Sequence, residues 1–148
     1  MLETIGSIAW LIPAFTGFAF AVALAVTVAG TRARWAAIAA VAGVSASAVL
    51  SLLVLVAAWR AGPEELAQQP FVVSAPWLPM GGGWLSMGVM IDPLSAAVTT
   101  MVAVICTAIF VYSTAYMAGE HTAYKNPTTG EVDAGLGNAR YARYFAFV

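Results

Sequence analysis

Few side chains in this sequence can do chemistry, and they lie far apart. The 148 residues include one histidine and one cysteine. His121 follows Glu120, and its titration range would permit proton relay, although a solvated pair in a polar stretch reads the same way. Cys106 sits among apolar neighbours, as a small filler rather than a reactive thiol. Asp92 directly precedes Pro93. A carboxylate within a membrane is a candidate proton carrier, yet Asp-Pro is first of all a helix start, with Asp as N-cap and Pro in the first turn. Asp92 and His121 are thus weak proton-path candidates, and no residue is assigned a catalytic, cofactor-binding or metal role. One cysteine excludes an intramolecular disulfide and a cysteine-held cluster. One histidine builds neither a metal site by itself nor, beside a loop, a Ser-His-Asp arrangement. Gly81-Gly82-Gly83 lacks the spacing and the following Lys-Ser/Thr of a phosphate loop, so it reads as a turn.

The elements around these residues belong in lipid. Hydrophobic residues make up 61% of the chain and charged residues 9%, with a mean hydropathy of +0.87. A soluble domain carries about 25% charged residues; so little polar surface cannot cover a globule in water. Net charge is −1, which offers no basic excess for nucleic acid. Glu3 is the first charged side chain, where a cleavable signal would be positive, and the apolar run after it is too long for a signal core.

We read the chain as one all-α integral membrane module, residues 1–148. Residues 5–29 form the first transmembrane helix, with Trp10 near one interface and Pro13 early in the run. Residues 35–59 form the second, with Trp35 and Trp59 at its ends. Ala39, Gly43, Ser47 and Ser51 recur every four residues in the second span, and Gly17, Ala21, Ala25 and Ala29 in the first. Both stripes read as faces for close helix packing in lipid. Residues 60–91 are polar and turn-rich. Phe71-Val72-Val73 and the alternating Trp84–Ile91 run predict a short β-hairpin turned by the glycines and lying on the membrane surface. Residues 93–116 form the third span, where Ser95, Thr99, Cys106 and Thr107 mark a mildly polar face toward a bundle. Residues 118–140 read as a loop, because Asn126-Pro127, Gly130, Gly135 and Gly137 oppose a helix. Residues 141–148 turn apolar again, as the start of a fourth transmembrane helix.

Five of the six Lys and Arg residues (Arg32, Arg34, Lys125, Arg140 and Arg143) fall on one side of this topology, and Arg60 falls opposite. The positive-inside rule puts the five in the cytoplasm and the N-terminus and hairpin outside. The expected location is the cell (inner) membrane, multi-pass, with the lipid bilayer as a partner and no nucleic acid.

Ile91-Asp92-Pro93-Leu94-Ser95, then Val111–Met117, then Tyr141-Ala142-Arg143-Tyr144-Phe145-Ala146 together resemble the N-terminal part of subunit 5, or subunit L, of respiratory complex I. Leu11-Ile12-Pro13-Ala14 and Trp77-Leu78-Pro79 fit the same pattern. The resemblance implies a helical, antiporter-like membrane subunit of NADH–quinone oxidoreductase that translocates protons within a multisubunit complex. It implies no cofactor in this chain: NADH, flavin, iron–sulfur clusters and quinone belong to partner subunits. Similar N-termini occur in multisubunit cation/proton antiporters, membrane-bound hydrogenases and bicarbonate-uptake complexes, which stand as alternatives. Two departures stand out. The stretch from Ala118 to Arg140 is longer than the family pattern, and the sequence stops before the helices that hold the family's proton-path glutamate and lysines. No catalytic residue is therefore carried over. The chain is expected to be a fragment or a split-gene product that does not pump alone.

Overall fold

The computed structural model describes residues 8–29, 33–119, 125–132 and 134–147. Three long helices dominate it: α1 (Leu11–Ala29), α2 (Arg34–Ala61) and, after an intervening hairpin, α4 (Pro93–Tyr116). With 19, 28 and 24 residues, they extend about 28, 42 and 36 Å at about 1.5 Å per residue. Each is long and apolar enough to cross a membrane. Their outward side chains are large and apolar, among them Phe18, Val28, Leu53, Val98 and Met101, which water would not tolerate in such density.

Small residues fill the contacts between the helices. The most deeply buried positions include Ala23, Ala36 and Ala40, and α2 is the central element, packed against both α1 and α4. Without a hydrophobic force between helices in lipid, such close backbone approach supplies the attraction. The two predicted stripes fare differently. Gly43, Ser47 and Ser51 lie within the packed part of α2, and a Cβ on Gly43 would collide with the Ala19 side chain and come 2.9 Å from the Phe15 carbonyl oxygen. In α1, Gly17, Ala21, Ala25 and Ala29 are all exposed. The contact residues of α1 are Ala19 and Ala23 instead. Composition alone produces a four-residue repeat on either face of an alanine-rich helix; the partner selects one.

Helix α2 ends at Gly62, whose φ of 95° suits glycine and few other residues. Pro63 then opens the short helix α3 (Pro63–Gln68). Next comes the hairpin: β1 (Phe71–Met80) pairs antiparallel with β2 (Gly83–Ile91) around a turn at Gly81-Gly82. Strand β1 runs farther than the Phe71–Val73 expectation despite Pro76 and Pro79. In a two-stranded sheet every strand is an edge, where a missing N–H is tolerated, and the register shifts between Pro76 and Leu78. The expected alternation of β2 holds only at its base, where Val89 and Ile91 pack inward; Leu85 and Met87 are exposed.

The last helix, α5 (Ala134–Phe147), begins inside the stretch read as loop. Gly135 and Gly137 each cost about 1 kcal/mol of helix propensity, and packing outweighs this. Tyr141, Ala142, Phe145 and Ala146 bury themselves with Ala23, Ala33, Ala36, Ala40 and Met117 in one cluster. A second cluster gathers Ala9, Val54, Ala58, Leu66, Ile91 and Ala96 at the other end of the molecule. The start of α2 and the end of α4 thus share one end, with α5; the end of α2 and the start of α4 share the other, with the hairpin.

Candidate functional site

Hydroxyl groups tie the three long helices together through backbone carbonyls. Ser47 donates to the Ile12 carbonyl of α1 at 2.8 Å. On the other side of α2, the Thr100 hydroxyl lies 2.9 Å from the Ser51 carbonyl and 2.8 Å from the Ala96 carbonyl. Thr107 repeats the arrangement two turns along, 3.4 Å from the Val44 carbonyl and 2.8 Å from Ala103. Positions 100 and 107 face 51 and 44, equal steps in opposite directions, as an antiparallel helix pair requires. At the end of α4, Ser113 and the Tyr144 hydroxyl of α5 are 2.9 Å apart. These bonds fix helix register in a medium that offers no competing water.

The sequence placed Thr107 on the inward face, but it also selected Thr99, which is exposed, and missed Thr100, Ser113 and Tyr144. The seven-residue interval between Thr100 and Thr107 was the available signal, since two helical turns return a side chain nearly to one face. Ser95 has a different task. Its backbone N–H donates to the Asp92 carboxylate at 2.5 Å, and its hydroxyl accepts from the Asp92 N–H at 2.9 Å. This reciprocal capping box starts α4. The Ser95 side chain and, next, its backbone N–H hold the Asp92 carboxyl below the usual carboxylate range, so at neutral pH the group is an ionised cap. His121 lies outside the described residues.

Between α1, α2 and α4 runs an open groove of about 760 Å³, lined by residues such as Phe20, Val44, Val102 and Phe110 and bounded at one end by Phe145 and Phe147 of α5. Among the described residues its polar side-chain atoms come from Thr16, Ser47, Thr99 and the half-buried Cys106, and no Asp, Glu, Lys, Arg or His lines it. Among the described residues, no group of three or more His, Cys, Asp and Glu side chains could hold a metal ion. What these residues do chemically is position helices.

The family model of the NADH-ubiquinone oxidoreductase (complex I) chain 5 N-terminus matches residues 77–125. This segment, about a third of the chain, is similar to the complex I chain 5 N-terminal family. The match runs from the middle of β1 through β2, the Asp92 cap and all of α4; α1, α2 and α5 lie outside it. No curated protein and no solved structure matches the chain. Three helices long and apolar enough to span a membrane accompany this likeness to a chain of a membrane complex.

Proposed function

We propose that this chain is the N-terminal helical module of a proton-translocating membrane subunit of NADH–quinone oxidoreductase, in an assembly that couples quinone reduction to proton transport. The family match across the hairpin, the Asp92 capping box and α4 carries the reading. In this role the three spans form a scaffold. Redox groups and quinone reside on partner subunits, and the chain contributes helix faces rather than a proton carrier of its own. Helix α5, with 14 residues, reaches about 21 Å and forms the beginning of a fourth span. Arg34, Arg140 and Arg143 lie in the elements gathered at one end of the bundle, which by the positive-inside rule is the cytoplasmic end. The N-terminus and hairpin then face outward across the inner membrane.

Tagging the chain in its native host and resolving mild-detergent extracts on native gels tests the assignment. The expected result is co-migration with an activity that oxidises NADH and reduces quinone, with loss of NADH-driven proton transport when the gene is deleted. Migration in a complex without NADH oxidation, together with intact NADH-driven transport in the deletion strain, would overturn it in favour of an antiporter.

A further inference from the structure

We propose that the distal half of the hairpin lies in the headgroup layer of the bilayer, with Trp77 and Trp84 as its principal lipid contacts. The proposal rests on the spanning of α1, α2 and α4, and goes beyond it by placing an element that does not span. From Phe71 to Ile91 the sequence holds no Asp, Glu, Lys, Arg or His. The base is fixed to the protein: Phe71, Val89 and Ile91 pack with Ala58, Leu66 and Ala96. The remainder is bare. Trp77 is 62% exposed and Trp84 64%, and Leu78, Met80 and Leu85 are exposed beside them. An isolated two-stranded hairpin is at best marginally stable in water, and one without a charge would be an aggregation site there.

The distribution of this apolar surface distinguishes lipid from a protein cover. Successive side chains of a strand point to opposite faces. Trp84 and Leu85 are neighbours in β2 and both are exposed, so the distal hairpin is apolar on both faces. A single flat protein surface covers one face; a fluid layer reaches both. Position agrees. Ile91 directly precedes Asp92, the N-cap, and Pro93, the first residue of the α4 span, so chain continuity holds the base at the membrane boundary. Met90 and Leu94 are exposed on either side of Asp92, and they continue the lipid-facing surface of α4 into the hairpin. Depth is bounded too. The outer edges of both strands carry backbone N–H and C=O groups that hydrocarbon cannot satisfy, whereas the hydrated headgroup zone can, and it is the zone that tryptophan prefers.

Depth-dependent fluorescence quenching tests the placement. The full chain is reconstituted in phosphatidylcholine vesicles as single-tryptophan variants that keep Trp84, Trp77 or, as a span control, Trp59, with the other tryptophans changed to Phe. Lipids brominated at shallow or deep acyl positions are compared with aqueous iodide. The expected result is that Trp84 and Trp77 lose most of their emission to shallow bromines, with little loss to deep bromines or to iodide. Iodide quenching of both while Trp59 stays lipid-quenched would place the hairpin in water and overturn the proposal, leaving the spans intact. Protection from iodide and bromine alike would mean a protein cover, which also overturns it. Loss of lipid quenching at Trp59 as well would overturn the proposal together with the spanning reading on which it rests.

Discussion

Replacing Gly43 by alanine adds one methyl group at the closest approach of α1 and α2. That methyl would collide with the Ala19 side chain and sit 2.9 Å from the Phe15 carbonyl oxygen. Part of the obstacle is backbone, so the helices must separate. Overpacking of this kind costs about 1–3 kcal/mol, and alanine returns about 0.5–1 kcal/mol of helix stability over glycine. The net loss is about 1–2 kcal/mol, or roughly 5- to 30-fold in the folding equilibrium. Gly17 is the matched control. It belongs to the same kind of repeat, but nothing lies within 4 Å of an added Cβ, so Gly17→Ala should be neutral or stabilising by up to about 1 kcal/mol. The assay is reversible unfolding of the full chain in lipid–detergent micelles, titrated with a denaturing detergent and read by energy transfer between labels on α1 and α2. If Gly43→Ala proves no more destabilising than Gly17→Ala, the α1–α2 packing described above is wrong.

Three further substitutions test the polar contacts. Thr100→Val removes the hydroxyl shared between the Ser51 and Ala96 carbonyls and should cost about 0.6 kcal/mol in the same titration, the usual size of an interhelical hydrogen bond in lipid; Thr100→Ser should recover most of it. Tyr144→Phe leaves the buried Ser113 hydroxyl without its interhelical partner and should cost about 1 kcal/mol, seen as faster amide exchange in α5 with the start of α4 unchanged. Asp92→Asn should preserve the start of α4 and Asp92→Ala should fray it, measured by amide exchange at residues 93–96. Because the folded state holds the Asp92 carboxyl below its usual range, its contribution is present above the ordinary carboxylate pKa and fades as pH falls through the lower folded value. Protection of those amides in Asp92→Ala equal to that of the unmodified chain would contradict the cap.

How much of this was legible depended on what decides each feature. Spans were readable because lipid imposes length and apolarity residue by residue, and the Asp92-Pro93 start because a cap is local chemistry. The hairpin showed itself through Gly81–Gly83 and the alternation of β2. Faces were harder. Gly17 and Gly43 stand in similar repeats, and only the partner's position tells which one packs. Thr99 and Thr100 are adjacent hydroxyls, one exposed and one buried, because a rotation of about 100° per residue separates them. Helix α5 begins before its expected boundary for a related reason. Gly135 and Gly137 oppose a helix locally, whereas burial of Tyr141 and Phe145 against α1 and α2 is a long-range effect that no short window contains.

Sidedness is the most direct measure of the spanning topology. In a Cys106→Ala background, Ser74→Cys in β1 and Thr129→Cys in the 125–132 loop are separated by a single span, α4. Labelling intact cells and then inside-out vesicles with a membrane-impermeant maleimide should modify Ser74→Cys only in the former and Thr129→Cys only in the latter. Modification of both from the same side would contradict a membrane-crossing α4 and the three-span bundle built on it.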